Sequence, residues 1–324
     1  MRKSSRALAI LAFALLVMGL VVPAAAEDAQ KPLFRVDGES MTTWKEPLDN
    51  VRFLTKGAYV LKPLGEKKYA QYGIDPKARP STEGMDSLNI SGSATFSEGQ
   101  FRELAENIRR LAAGKKVYVV DCRQESHGLI NGISLSWYDN WNWVNRGMTV
   151  KEIEADENAR FGVLPGKTIT AYTVKSNHTV DKMEIAVEKW MSERELVESE
   201  GFGYLRLSCP DHCWPGAEEI DRFIAFVRNL DMNNVWLHFH CQAGEGRTGV
   251  FMTIYDMMKN PGVPFDDIIL RQTMAGSSYL LYAKKNDFSW ELNLRTKRIR
   301  QIYEYLQEMR GEYRVSWGAW LNER

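Results

Sequence analysis

An excess of charge of either sign is missing from this chain: basic and acidic residues balance at 42 each, so nothing in its composition points to the broad basic surface that a nucleic acid requires. After residue 26 no apolar run approaches the ~20 residues that span a bilayer, which excludes a later transmembrane helix of ordinary kind. Repeats and low-complexity segments are absent too. Histidine is scarce, with five in all. His238, His240 and Cys241 lie close together, yet no fourth ligand stands at a recognisable spacing, so no metal is expected there and His238 reads as core. No other cofactor is expected either. Cysteine is limited to four residues. Cys209 and Cys213 bracket Pro210-Asp211-His212, where a disulfide or two small buried side chains both fit.

Residues 1–26 carry Arg2, Lys3 and Arg6, an apolar run over 7–22, and Pro23-Ala24-Ala25-Ala26 before Glu27. This pattern predicts a secretory signal cut after Ala26, and therefore a periplasmic or secreted protein with no membrane attachment after cleavage. The remaining 27–324 is near the upper end for one core, which predicts one principal domain with an insertion or a small second domain. Losing the three basic residues leaves three more acidic than basic ones. A polyanionic ligand must then be held by a local basic cluster and not by a general field.

The most informative stretch is His240-Cys241-Gln242-Ala243-Gly244-Glu245-Gly246-Arg247-Thr248-Gly249. Before it, Val235-Trp236-Leu237-His238-Phe239-His240 has the length and character of a buried strand; after it, Val250, Ile254 and Met257 recur at helical spacing. A glycine-rich turn between strand and helix presents backbone N–H groups and the positive end of a helix dipole, a site for an anion such as phosphate. The same field stabilises a thiolate and makes Cys241 a nucleophile. Arg247 offers a planar fork that matches two oxygens of one phosphoryl group. Thr248 is placed to hydrogen-bond the cysteine sulfur, or simply to cap the helix. Gly244, Gly246 and Gly249 also spell a dinucleotide fingerprint, but no second unit with a strand-end acid follows.

Elsewhere the pattern predicts irregular extended segments over 31–97, a helix over 101–113, a buried strand over 117–120, a strand over 168–174 and a helix over 180–199. A strand over 202–207, a helix over 218–230, and helices from 266 and from 292 complete it. Residues 132–145, rich in Trp and Tyr, read as an aromatic edge of the core or as a cap over a pocket. Three strands deliver polar residues at their carboxyl ends: Asp121 with Arg123, Asp211 with His212, and Cys241. Helices between them favour a mainly parallel sheet, with ligands at that edge. Asp211, in a Pro-Asp loop, is the candidate for the acid that protonates a leaving oxygen.

Cys241 followed by five residues, Arg247 and Thr248 resembles the signature of cysteine-dependent tyrosine phosphatases. Much of the chain, over 52–321, resembles one branch of them, the bacterial tyrosine phosphatase-like inositol phosphatases or cysteine phytases. The resemblance rests on Ile90-Ser91-Gly92-Ser93, Val120-Asp121-Cys122-Arg123-Gln124-Glu125-Ser126-His127-Gly128, Ser136-Trp137-Tyr138, Asp211-His212-Cys213-Trp214-Pro215 and Trp236-Leu237-His238-Phe239-His240-Cys241. It implies an α/β phosphatase core with a mainly parallel central sheet flanked by helices, and a smaller β-rich part from about 45–60 and 130–200. It implies an inositol polyphosphate substrate, hydrolysed without metal, with Cys241 as nucleophile, Arg247 on the phosphoryl group and Asp211 as acid. His212, Asp121, Arg52 and Lys284 or Lys285 would bind substrate, and Gln242, Ala243, Gly244, Glu245 and Gly246 would cradle the phosphate. The family's pocket histidine before the strand at 168 has no counterpart in Val163-Leu164-Pro165-Gly166. Alternatives carried alongside are a tyrosine or phosphoinositide phosphatase and a phosphate-binding module without turnover.

Overall fold

The structure, a computed structural model, describes residues 32–37, 47–175, 178–282 and 289–324. In chain order the strands are β1 (Leu33–Val36), β2 (Arg52–Leu54), β3 (Ile90–Ser93), β4 (Lys116–Asp121), β5 (His127–Ile130) and β6 (Ile133–Tyr138). β7 (Thr168–Lys175), β8 (His178–Ala186), β9 (Trp190–Met191), β10 (Gly203–Arg206) and β11 (Val235–His240) follow. The helices are α1 (Glu66–Tyr72), α2 (Glu98–Ala112), α3 (Val150–Phe161), α4 (Glu193–Ser199), α5 (Ala217–Arg228), α6 (Gly246–Lys259), α7 (Phe265–Met274), α8 (Ser289–Glu308) and α9 (Trp317–Asn322). None is long and apolar enough to cross a membrane. The predicted signal, 1–26, lies outside the described residues, as do Lys284 and Lys285.

The expected mainly parallel sheet forms in the order β10-β4-β11-β3-β2, with the first four strands parallel and β2 antiparallel at the edge. Both faces are covered, and the alternation along β11 shows how. Val235, Leu237, Phe239 and Cys241 join the cluster formed with α5, α6, α8 and α9, while Trp236 points to the opposite cluster with Phe101, Leu104 and Ile108 of α2. Each large apolar side chain so buried contributes about 1.5–3 kcal/mol. Ser97 begins α2 with a reciprocal capping box to Gln100, which satisfies two donors at the helix start.

The smaller sheet runs β8-β7-β1-β6-β5-β9, with its own core of Val36, Ile130, Leu135, Ile169 and Ala171 under Phe161 of α3. Its composition corrects one expectation: Arg52–Leu54, assigned to the β-rich part, instead pairs with β3 in the main sheet, where Leu54 is buried. A second correction concerns 180–199. Its apolar spacing fits a helix, but residues 178–186 pair along β7 from Lys175↔His178 to Thr168↔Ala186, and cross-strand pairing overrides a weak local preference. Only Glu193–Ser199 of that stretch is helical. α1 and β3 were not foreseen. β3 is Ile-Ser-Gly-Ser and wholly buried, without the apolar run that marks a buried strand. Its serines instead face His238, with Ser91 Oγ 2.9 Å from Nδ1 and Ser93 Oγ 3.1 Å from Nε2. His238 is thus core, and burial, with His240 and Arg52 nearby, holds its imidazole well below the ordinary range.

Candidate active site

Three adjacent parallel strands, β10, β4 and β11, end at one edge of the main sheet, and Asp211, Arg123 and Cys241 follow them within a few residues. The loop after β11 is held from outside through four successive carbonyls. Gln242 O accepts from Thr95 N (3.1 Å), Ala243 O from Asn50 Nδ2 (2.8 Å), Gly244 O from Arg52 Nη1 (2.8 Å) and Glu245 O from Ser278 N (3.1 Å). In a trans peptide the N–H points opposite to the C=O. The N–H groups of Ala243, Gly244, Glu245 and Gly246 are therefore turned to the inner side of the loop, at the start of α6, whose N-cap has no side-chain hydrogen bond. That is the cradle expected for an anion. Gly244 is required here: its φ is +75°, and a Cβ would lie 2.4 Å from the Ser93 carbonyl carbon.

Arg247 is buried and held flat. Its Nη1 and Nη2 donate to Glu125 Oε2 and Oε1 at 2.6 and 3.1 Å, Nη1 also donates to Cys209 O at 3.1 Å, and Nε faces Asp211 Oδ1 at 3.3 Å. Burial opposes its charge, but Asp211, Glu125 and Cys241 around it more than restore it. Nε is left without a well-formed hydrogen bond, a donor available to a ligand at the cradle.

Asp211 is clipped by the aromatic stretch after β6. Asn142 Nδ2 donates to its Oδ2 and Trp143 Nε1 to its carbonyl, both at 2.8 Å. Residues 139–143 thus act as the cap over the site, whereas Tyr138 belongs to the buried edge. Burial pushes the Asp211 carboxyl up, yet Arg247 and His212 outweigh it and hold the group below the ordinary carboxylate range. His212, half exposed at the mouth, lies edge-on to Trp141 with centroids 5.6 Å apart.

Three other predicted residues are buried. Asp121, expected on substrate, is fully buried behind the loop: Oδ1 accepts from Arg123 N (2.9 Å), Oδ2 lies 2.9 Å from Tyr204 Oη, and Arg206, His127 and His240 stand within 3.3–3.8 Å. The register Asp121↔His240 puts it beneath the cradle, not in it. Arg52, expected on phosphate, is buried against Gly244 O, Asn50 O and Ser277 Oγ. Burial brings it down to about 10, opposed by the charges of Cys241 and Glu245; it supports the loop through Gly244 O and also lines a cavity with Lys62, Lys67 and Lys68. Thr248 Oγ1 is buried without a hydrogen bond, so its expected bond to the sulfur is not formed.

None of the four cysteines is in a disulfide, so the Cys209–Cys213 bridge is not formed. Asp121, His127 and Glu193 bring ligand-type atoms within 4.8 Å of one another, but these carboxylates already face Tyr204, Arg206 and His240, and His240 Nε2 lies 2.8 Å from Glu193 Oε1. The residues that sequence reasoning did not assign are Glu125, Asn142, Trp143, Asn50 and Thr95. Glu125 carried a signal as a polar residue close after a buried strand, and Asn142 and Trp143 as part of the aromatic stretch read as a core edge or a cap; Asn50 and Thr95 carried none.

A family model for protein tyrosine phosphatase-like phytases, described by inositol hexakisphosphate, matches residues 120–259. The chain is similar to the tandemly repeated tyrosine phosphatase-like phytase of Mitsuokella multacida (35% identity, TM-score 0.80, 90% of this chain and 49% of that one). A structure of the tyrosine phosphatase-like myo-inositol phosphatase from the same organism, in complex with myo-inositol-(1,3,4,5)-tetrakisphosphate, matches similarly (34%, TM-score 0.78, 90% and 49%). A phytase of this type from Bdellovibrio bacteriovorus is 31% identical with a TM-score of 0.61, over 90% of this chain and all of that one. Effector protein hopD2 of Pseudomonas syringae pv. tomato is 27% identical over 74% of this chain and 52% of its own length. The chain thus spans about half the length of the Mitsuokella and Pseudomonas proteins.

Proposed function

The chain belongs to the protein tyrosine phosphatase-like phytase family, and from that premise we propose that it hydrolyses phosphomonoesters of inositol hexakisphosphate and lower inositol phosphates through a phosphocysteine. The observation that carries the reading is the loop at Cys241, with four carbonyls tied outward and Arg247 and Asp211 paired at its mouth. The sulfur attacks phosphorus while the inward N–H groups and the Arg247 guanidinium take the charge of the equatorial oxygens. The inositol oxygen leaves with the proton of Asp211. Ionised Asp211 then accepts a proton from a water that attacks the phosphocysteine, releasing inorganic phosphate and the thiolate.

Asp211 must be protonated for the first step, and the site contains a means of arranging that. A phosphoryl dianion drawn to Arg247 competes for the Nε donor that faces Asp211, and it brings negative charge beside the carboxyl, which favours the neutral acid. His212, at the mouth, is placed for a second phosphate of the substrate. Export from the cytoplasm, on the strength of residues 1–26, is part of the same proposal, and amino-terminal sequencing of the exported chain tests it.

The decisive experiment is phosphate release from a panel of inositol phosphates, phosphotyrosine peptides and phosphoinositides, with and without chelator. Release is expected from the inositol phosphates, unaffected by chelator. Preference for the peptides or lipids would move the assignment to those classes. Cys241→Ser should bind substrate and release nothing; the same lack of turnover in the wild type would leave a binding module.

A further inference from the structure

The reaction leaves a line of buried charges unused, and that line crosses from the small sheet to the phosphate cradle. It begins at Arg35 in β1, whose Nε and Nη2 donate to Asp37 Oδ1 at 3.0 and 2.7 Å. The other oxygen of Asp37 accepts from Arg123 Nη2 at 2.9 Å. Ser136 and Ser134 of β6 donate to the same carboxylate at 2.9 and 3.2 Å. Arg123 then donates from Nε to Glu125 Oε1 (3.0 Å) and from Nη1 to Thr95 Oγ1 (3.0 Å), and Thr95 N is also the donor to Gln242 O of the cradle. Glu125 in turn grips Arg247 through both oxygens. The side chains of Asp37, Arg123 and Glu125 are inaccessible to solvent, so water cannot replace a lost partner.

Glu125 Oε1 is shared between Arg123 and Arg247. How firmly it holds Arg247 therefore depends on how far the charge of Arg123 is already answered by Asp37. With Asp37 neutral, Glu125 is, among the described residues, the only carboxylate bridged to the Arg123 side chain, and it is drawn toward that arginine and away from Arg247.

We propose that Asp37 is a positioning residue for phosphate binding, which through Arg123 and Glu125 fixes the orientation of Arg247 and makes the small sheet a working part of the cradle. This rests on reading the Cys241 loop as a phosphatase site, but not on inositol phosphates being the substrate.

The test uses the full chain, with orthovanadate as the phosphate-like probe, titrated directly, and p-nitrophenyl phosphate as substrate. Asp37→Asn should weaken vanadate binding and raise KM for the aryl phosphate roughly 10- to 100-fold, by analogy with the loss when residues that orient metal ligands are removed. Alkylation of Cys241 by iodoacetamide at fixed pH should keep its wild-type rate, which a general loosening of the fold would not allow. Ser136→Ala deletes one hydroxyl donor to Asp37 and should give a smaller weakening in the same direction, and it decides the matter if Asp37→Asn does not fold. Wild-type vanadate affinity in the folded variants, or parallel loss of affinity and alkylation rate, would overturn the proposal. A wild type that binds vanadate but releases no phosphate from any substrate would refute the phosphatase reading and leave the positioning claim open to the same titration.

Discussion

An inositol hydroxyl leaves phosphorus poorly unless it is protonated as it departs, whereas p-nitrophenolate leaves unaided, and Asp211 is the residue that should tell the two apart. Acid catalysis is worth about 10²–10⁴-fold. Asp211→Asn should therefore slow phosphocysteine formation by that order with inositol phosphates and much less with p-nitrophenyl phosphate, measured as the pre-steady-state burst. Equal losses on both would make Asp211 a structural member of its loop, held there by Asn142 and Trp143. The acid would then have to be sought elsewhere, and not at Asp121, which is enclosed behind the loop. Asp121 and Arg52 were assigned to substrate through their resemblance to family motifs. A motif gives the residue and its place in the chain but not which way its side chain turns. Asp121 ends a strand whose next partners are Arg206, His127 and His240, and a carboxylate among three such groups stays with them.

At the scale of elements, the cradle is made by its neighbours as much as by its own residues. The turn after β11 is legible as an anion site from its glycines, but its shape depends on donors from 50–52, Thr95 and Ser278, far apart in sequence. Gly244→Ala forces a Cβ into the β3 backbone at a left-handed φ. It should cost about 1–3 kcal/mol or more in stability and displace the inward N–H groups. The expected result is a lower Tm together with a large fall in kcat/KM for p-nitrophenyl phosphate; wild-type activity would show that the loop does not need this conformation. β3 and β8 were missed for related reasons. β3 is buried through serine contacts to His238 and Trp236 instead of apolar packing. β8 is an edge strand with mostly exposed residues, so no buried face imposes alternation on it.

For the whole molecule, the buried charges predict how stability depends on pH. Burial raises the Glu125 carboxyl, but Arg247 and Arg123 prevail and hold it well below the ordinary range; Asp37 is likewise lowered, by Arg123 and Arg35. Groups lowered on folding contribute stability that is complete above the unfolded value, near 4, and is lost as pH falls through the folded value. His127 is the reverse: burial and Arg123 oppose its charge, Asp121 and Glu193 favour it, and the net effect is upward. Its contribution is complete below about pH 6.5 and is lost as pH rises through the folded value. Thermal unfolding followed across pH should thus show Tm falling at both ends, and His127→Gln should flatten the alkaline fall. An unchanged alkaline fall would place its origin elsewhere. On the reading that Lys284 and Lys285 bind outer phosphates of the substrate, its affinity should fall as salt rises. Lys284→Ala with Lys285→Ala should raise KM for inositol hexakisphosphate more than for an aryl phosphate; equal effects would put both lysines outside the pocket.

The sequence by itself marked Cys241 and Arg247 as candidates for the nucleophile and its arginine, because a strand, a glycine turn and a helix start are local features, and it marked Asp211, in a separate loop after an earlier strand, as candidate acid. It also determined the mainly parallel sheet, since buried strands alternating with amphipathic helices leave few other arrangements. Only the tertiary structure decided which polar residues face the cleft and which lie behind it. Asp121, Arg52, Glu125 and Asp37 are alike as charged residues in the chain, and their roles separate only when strand register and sheet contact assign each its partners. The helix predicted over 180–199 failed on the same ground: its spacing suits a helix, and a neighbouring strand across the sheet, invisible from within the segment, supplied the hydrogen bonds that made it β8.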